Sequence, residues 1–264
     1  LEHILGKEWR LYPAGGATGE AYIAQHEEQR LFLKRNSSPF LAVLSAEGIV
    51  PKLLWTKRLE NGDVISAQQW LDGRELKSAE MKCSHVAKLL GKIHSSNELL
   101  EMLKRLGKMP LTPELIIADL QRQSAAMKNS SQLVKESIAR LMEDKNEIQC
   151  DDKVVCHCDV NHNNWMLSKD SQLFLIDWDG AMVADPALDL GMLLYSYIPK
   201  SEWAEWLSEY NMKLTLGLEK RMHWYVTAQT AYMHIQNINK GETEKAAETE
   251  STLYRLLNHP SITQ

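Results

Sequence analysis

The hydrophobic period of this chain changes once, near Met81, and that change restricts the fold more than any other feature. Before it, apolar residues fall into short punctuated runs at Trp9–Tyr12, Ala21–His26, Arg30–Lys34, Leu53–Lys57 and Val64–Trp70. Runs of that length, closed by turn-forming residues, predict strands. Asn61-Gly62-Asp63 predicts a tight hairpin turn, because Asn and Gly tolerate the positive φ such turns demand. One short helix is expected at Phe40–Glu47, ended by Gly48 with Pro51 just beyond.

After Met81 the spacing becomes helical. Val86, Leu89, Leu90 and Ile93 fall at i, i+3, i+4 and i+7, one stripe of a helix ending near His94. Val134, Ile138, Leu141 and Met142 repeat the pattern, as do Met222, Tyr225, Val226 and Gln229–Met233. A β interlude interrupts these helices at Lys153–Cys158, Trp165–Ser168 and Leu173–Ile176. The stretch Asn239–Ser251, rich in Glu, Lys, Thr and Ala, predicts a solvated helix or loop. The expected class is α+β: a small antiparallel β lobe, 1–70, followed by a larger, mainly helical lobe, 71–264.

Composition removes several alternatives. With 44% hydrophobic residues, 13 Gly and 8 Pro in 264 residues, the chain is neither collagen-like nor disordered. A formal charge of −5 argues against a phosphate-backbone binder, so no nucleic-acid partner is expected. Four irregularly spaced Cys do not make a disulfide framework. Cys156 and Cys158 alternate on an extended segment, but no second pair completes a zinc site. Leu1–Arg10 lacks a signal-peptide layout, and no run is apolar enough to span a bilayer, so a cytoplasmic protein is expected. The one oddity is eight Trp beside three Phe.

The densest polar cluster is His157-Cys158-Asp159-Val160-Asn161-His162-Asn163-Asn164, placed between two apolar strands. A second strand-like run ends in Ile176-Asp177-Trp178-Asp179. Polar side chains wedged between buried strands are costly unless they bind something. Carboxylates and an amide oxygen converging from two strand ends suit Mg²⁺, a hard cation that takes oxygen ligands. The alternative is a polar turn that satisfies itself by local hydrogen bonds.

His-x-Asp-x-x-x-x-Asn followed by a strand-terminal Asp resembles the catalytic and metal-binding loops of the protein-kinase-like fold. With Cys158 after the His and Trp178 after the Asp, it is most similar to the aminoglycoside phosphotransferase/choline kinase superfamily. Asp185-Pro186-Ala187-Leu188-Asp189-Leu190-Gly191 and Leu90-Gly91-Lys92-Ile93-His94 resemble two further segments of that superfamily, in the right order. Asn161–Trp165, Gly15–Tyr22 and Gln68–Gly73 narrow the resemblance to its YtmP/CcrZ group.

That resemblance implies a bilobal, ATP- and Mg²⁺-dependent small-molecule kinase. It implies a ribose or 2-deoxyribose acceptor, phosphorylated at the 5-hydroxyl, and a link to bacterial cell-cycle control through division or replication-initiation proteins. Choline, thiamine and aminoglycosides are the alternative acceptors, and a kinase-shaped regulatory module with little turnover is the alternative function. By position, Asp159 is the expected base and acceptor contact, His157 its brace, and Asn164 and Asp177 the Mg²⁺ ligands. Asp189 is expected to be a buried acceptor tying the catalytic loop down. Gly15, Gly16, Thr18 and Gly19 are expected to cover the nucleotide phosphates, Lys34 to hold them, and Gln69, Trp70 and Leu71 to form the hinge that receives adenine. Asn161, His162, Trp178, Trp203, Trp206 and Trp224 are the expected acceptor side. Asp179 belongs either to the metal shell or to the acceptor site. One departure stands out. The superfamily pairs its lysine with a helix Glu, whereas Ser37-Ser38-Pro39-Phe40 carries no acid, so either Glu47 substitutes or Lys34 stands unpaired.

Overall fold

In the computed structural model, which describes residues 5–14, 20–127 and 131–258, five strands form one antiparallel sheet. They are β1 (Arg10–Pro13), β2 (Ala21–His26), β3 (Gln29–Arg35), β4 (Leu53–Arg58) and β5 (Val64–Gln69), in the order β1-β2-β3-β5-β4. All are expected strands, with ends moved by a residue or two. Ala24, Leu33, Ile65 and Ala67 line one face as its core, and Trp9 and Trp55 pack against them. Central strand β5 is buried on its other face too, where Ser66 bonds Ser37 and the Gln68 amide donates to the Pro51 carbonyl. Buried polar groups are tolerated there because each has a partner. The Asn61–Asp63 turn joins β4 to β5, with Gly62 at φ +91° where a side chain would be strained. Helix α1 (Phe40–Ala46) follows β3 and buries Phe40 and Leu44.

The molecule divides into two compact units, and they do not follow a single cut in the chain. One comprises the described residues up to Lys77, Asn97–Met102 and Asn161–Asp179. Beside the five-stranded sheet it holds a three-stranded one of β6 (Gly73–Glu75), β8 (Trp165–Ser168) and β9 (Leu173–Leu175), in the order β6-β8-β9. The hairpin β8–β9 was expected; β6 was not. All three residues of β6 are exposed, so no alternation marks it, and it pairs because Gly73 admits the Leu167 carbonyl where a Cβ would stand. Hydrogen bonds from Leu175 N–H to the Ile49 carbonyl and from Leu76 N–H to the Trp165 carbonyl complete the unit.

The second unit takes Ser78–Ser96, Leu103–Val160 and the described residues from Gly180 on. It contains α2 (Ser84–His94), the end of α3 (Asn97–Arg105), α4 (Pro113–Ala126), α5 (Gln132–Asp144), α6 (Ala187–Tyr197), α7 (Trp203–Tyr210), α8 (Leu216–Lys240) and α9 (Thr243–Asn258). Thr112, Ser131 and Thr215 cap α4, α5 and α8 by accepting backbone N–H bonds, as N-cap hydroxyls do. Helix α8 buries residues around most of its circumference, from Leu218 to Ile235, and so forms the unit's axis. The stretch Asn239–Ser251, expected as a solvated helix or loop, is the end of α8, a turn at Gly241 and the first part of α9, exposed along most of its length. Helix α9 buries Thr249, Leu253 and Leu256, and Thr249 bonds His234 of α8. A short ladder, β7 (Val154–Cys156) with β10 (Met182–Ala184), leads into the first half of the polar cluster, His157–Val160, in this unit. Among the described residues, no helix is long and apolar enough to cross a membrane.

Candidate active site

In the helical unit, β7 ends at Cys156 and the chain turns sharply through Cys158, whose φ is +67°. A non-glycine residue in that region is strained unless its surroundings hold it there. Asp189, wholly buried in the first turn of α6, supplies the hold. Its carboxylate accepts the His157 N–H at 2.7 Å and the Cys158 N–H at 2.9 Å. His157 is also fully buried, and its Nδ1 accepts the Asp159 N–H at 3.3 Å. The backbone of three successive residues is thus tied down, while the Asp159 side chain stands exposed.

A third partner braces Asp189. His94 Nε2 lies 3.1 Å from its carboxylate, and His94 Nδ1 lies 2.7 Å from the Tyr210 hydroxyl. A carboxylate only accepts, so Nε2 donates to Asp189, and in a neutral imidazole Nδ1 then accepts from Tyr210 O–H. Burial, with Cys156 and Asp189 nearby, pushes the Tyr210 phenol well above its ordinary range, which keeps it a donor. His94 closes a helix-end motif that was visible in the sequence; Tyr210, 116 residues away, carried no signal. The start of α6 is fixed by buried Asp185, which accepts the Ala187 N–H and pairs with Arg221 Nε at 2.9 Å.

The thiols beside this loop are ordinary. Burial first, then Asp189, raises both Cys156 and Cys158 well above the usual thiol range, so both are protonated. Each donates to a backbone carbonyl, Cys156 to that of Asp185 and Cys158 to that of Cys156.

In the sheet unit, His162–Asn164 forms a 3-10 turn leading into β8. The Ile176 N–H donates to the Asn164 carbonyl at 2.8 Å, which joins the Asn164 backbone to the segment ending in Asp177. Asp177 has φ +64°, a conformation Asp tolerates better than most residues, and its side chain is exposed. Asn164 and Asp177 therefore carry an amide oxygen and a carboxylate on two backbone segments hydrogen-bonded to each other. Such a set of hard oxygen donors fits Mg²⁺. Asn161 is exposed and His162 half-buried at the mouth of the same turn.

Lys34 is paired, though not as expected. Its Nζ lies 2.8 Å from both carboxylate oxygens of Asp179, in the same unit. Glu47, the acid nearest in sequence to the Ser37–Phe40 stretch, is the C-cap residue of α1. The expectation that Lys34 is held by Glu47 or by nothing is corrected: its partner comes from the turn after Asp177. Trp178 is committed to that turn as well. Its Nε1 donates to the Leu175 carbonyl at 2.7 Å, and its ring meets Phe40 edge-on at 5.7 Å.

Gln69 and Trp70 border an open hollow of about 650 Å³ together with Gln25, Arg30 and Asp72. The Arg30 guanidinium lies 5.9 Å over the Trp70 ring, and Leu71 beside it is half-buried. Gly15, Gly16, Thr18 and Gly19 lie outside the described residues. The acceptor pocket expected from the late tryptophans is corrected. Trp203, Trp206 and Trp224 are 3%, 4% and 3% exposed, and all three pack as core of the helical unit. Trp203 and Trp224 give their indole N–H to the Ile198 and Leu141 carbonyls, the usual way a buried Trp is satisfied.

The same α+β fold occurs in solved structures. The choline kinase LicA from Streptococcus pneumoniae matches with a TM-score of 0.71 at 18% identity, covering 97% of this chain and 95% of that one. A choline/ethanolamine kinase family protein from Mesorhizobium loti matches at 0.72 and 13% identity, covering 99% and 92%. APH(2'')-IIIa, solved as a GDP and kanamycin complex, matches at 0.68 and 13% identity, covering 94% and 92%. At these identities the likeness shows a shared kinase-like fold. The model of the phosphotransferase enzyme family matches residues 10–225, most of the sequence, and the chain belongs to that family. It is accordingly a phosphotransferase.

Proposed function

We propose that this phosphotransferase moves the γ-phosphoryl group of ATP to a hydroxyl of a small molecule, with Mg²⁺. The observation that carries this reading is the loop beneath Asp159. Three hydrogen-bonded backbone groups and a buried carboxylate fix its position while its own carboxylate faces solvent. Phosphoryl transfer asks little covalent work of a protein; it asks for positioning and for charge neutralisation. In this reading Asp159 accepts the proton of the acceptor hydroxyl as its oxygen bonds the γ-phosphorus and the bond to the β–γ bridging oxygen breaks. Asn164 and Asp177 hold Mg²⁺, which when bound neutralises phosphate charge. Lys34 holds the nucleotide phosphates from the β lobe, 1–70, a task the resemblance also gives to the Gly15–Gly19 segment, and the Gln69–Leu71 backbone receives the adenine. Asn161 and His162 are assigned to the acceptor on the resemblance of their segment to the family.

The acceptor placed first is a pentose, ribose or 2-deoxyribose at its 5-hydroxyl, on the resemblance of Asn161–Trp165 and Gln68–Gly73 to the YtmP/CcrZ group. The same resemblance supports a cytoplasmic role in cell-cycle control alongside division or replication-initiation proteins. Choline ranks lower on a structural ground: a quaternary ammonium needs exposed aromatic faces, and Trp203, Trp206 and Trp224 are covered.

The test is a turnover panel with ATP or GTP, Mg²⁺ and ribose, 2-deoxyribose, choline, thiamine or kanamycin, read as nucleoside diphosphate release. A pentose is expected to give the highest kcat/KM. Asp159→Ala is expected to lower kcat by about 10²–10⁴-fold while leaving nucleotide affinity unchanged. Release at background with every acceptor, or full activity in the Asp159 variant, overturns the proposal.

A further inference from the structure

The pairing of Lys34 leads to a residue role that neither its position nor the family match assigns. We infer that Asp179 is the positioning partner of Lys34, doing from the turn after Asp177 what an acid on α1 does not. This rests on the reading of Lys34 as a phosphate-binding residue.

Helix α1 has no acid in its first turn, where Phe40 is its first residue and Pro39 precedes it. A lysine on β3 with side-chain exposure of 24% is partly withdrawn from water and gains from a fixed counter-charge. Asp179 provides one in bidentate form, both oxygens at 2.8 Å from Nζ. Asp179 is itself anchored through its neighbour. Trp178 is held by its hydrogen bond to the Leu175 carbonyl and by the edge-on contact with Phe40. So α1 still serves Lys34, through packing rather than charge: Phe40 holds Trp178, the Trp178–Gly180 turn presents Asp179, and Asp179 orients the amine.

The stoichiometry of donors favours positioning over blockade. An ammonium has three N–H donors. Two directed to Asp179 leave the third for a phosphate oxygen. The side chain is also pre-ordered, which lowers the rotamer entropy a free lysine loses on binding. Asp179 is 61% exposed, so its hold on Lys34 is soft enough to adjust when a phosphate arrives.

A double-mutant cycle tests the assignment: Mg·ATP affinity, by a fluorescent analogue, for wild type, Lys34→Met, Asp179→Asn and the double variant. Asp179→Asn is expected to weaken binding about tenfold, and the double variant no more than Lys34→Met alone. Asp179→Glu is expected to restore part of the loss. A second readout needs no nucleotide: acetylation of Lys34 by dilute acetic anhydride, followed by mass spectrometry, is expected to be several-fold faster in Asp179→Asn. Additive effects of the two substitutions, unchanged acetylation, or tighter binding in Asp179→Asn overturn the role. Independent effects in a chain that binds nucleotide overturn this role alone. A wild-type chain that binds no nucleotide overturns the reading of Lys34 beneath it and this role with it.

Discussion

Buried Asp189 accepts from two backbone N–H groups and from His94, and His94 in turn depends on Tyr210. A buried network of this kind is rigid only when every member is satisfied. Tyr210→Phe removes one hydroxyl and leaves His94 Nδ1 buried with no donor. It is expected to lower stability by about 1–3 kcal/mol, measured by urea unfolding. Asp189→Ala orphans three donors and is expected to destabilise by more, with kcat falling even in the folded fraction because Cys158 loses the hold on its positive φ. Asp189 was legible in the sequence through its motif. Asp179 was legible as an acid but not as a lysine partner. The two residues are 145 positions apart, and local pattern carries no information about such a pair.

At the scale of elements, the five-stranded sheet, the β8–β9 hairpin and helices α1, α2, α5 and α8 follow from period and punctuation. Helices α3, α4, α6 and α7 and two short strands do not. Strands β6 and β10 are three residues long, too short for any period to register, and exist because a neighbouring edge was there to pair. Helix α9 reads as polar because only a narrow face of it is buried, against α8. Packing between α2 and α7 gives a prediction contrary to intrinsic propensity. Gly91→Ala is favoured by about 1 kcal/mol for an isolated helix. Here the added Cβ stands 2.7 Å from the Tyr210 carbonyl, a backbone atom that cannot move alone. The variant is expected to lose about 1–3 kcal/mol and to melt several degrees lower by calorimetry. Because Gly91 lies one turn before His94, the shift is also expected to lengthen the His94–Tyr210 hydrogen bond and reduce kcat.

For the molecule as a whole, pH offers a direct check on burial. His223 of α8 has its pKa lowered, mainly by burial, against its ordinary 6.5. The unfolded chain therefore binds a proton there at a higher pH than the folded chain does. Stability from this group is complete above about 6.5 and is lost as pH falls through the folded value. The melting temperature is expected to drop from pH 7 to pH 5, and to drop less in His223→Gln.

The sequence alone determined the α+β class, the main strands, helices α1, α2, α5 and α8, and the two polar segments that carry the proposed chemistry. These are local properties: hydrophobic period, turn chemistry, and motifs whose members lie within a few residues of one another. Tertiary structure decided the rest. It joined the hairpin of residues 165–175 to the sheet unit, covered three tryptophans that composition had left open, and gave Lys34 its carboxylate. Each of those outcomes depends on which surfaces meet once the chain has closed loops of tens to more than a hundred residues. A one-dimensional pattern fixes what a segment is able to bury or pair, and only packing selects what it buries or pairs with.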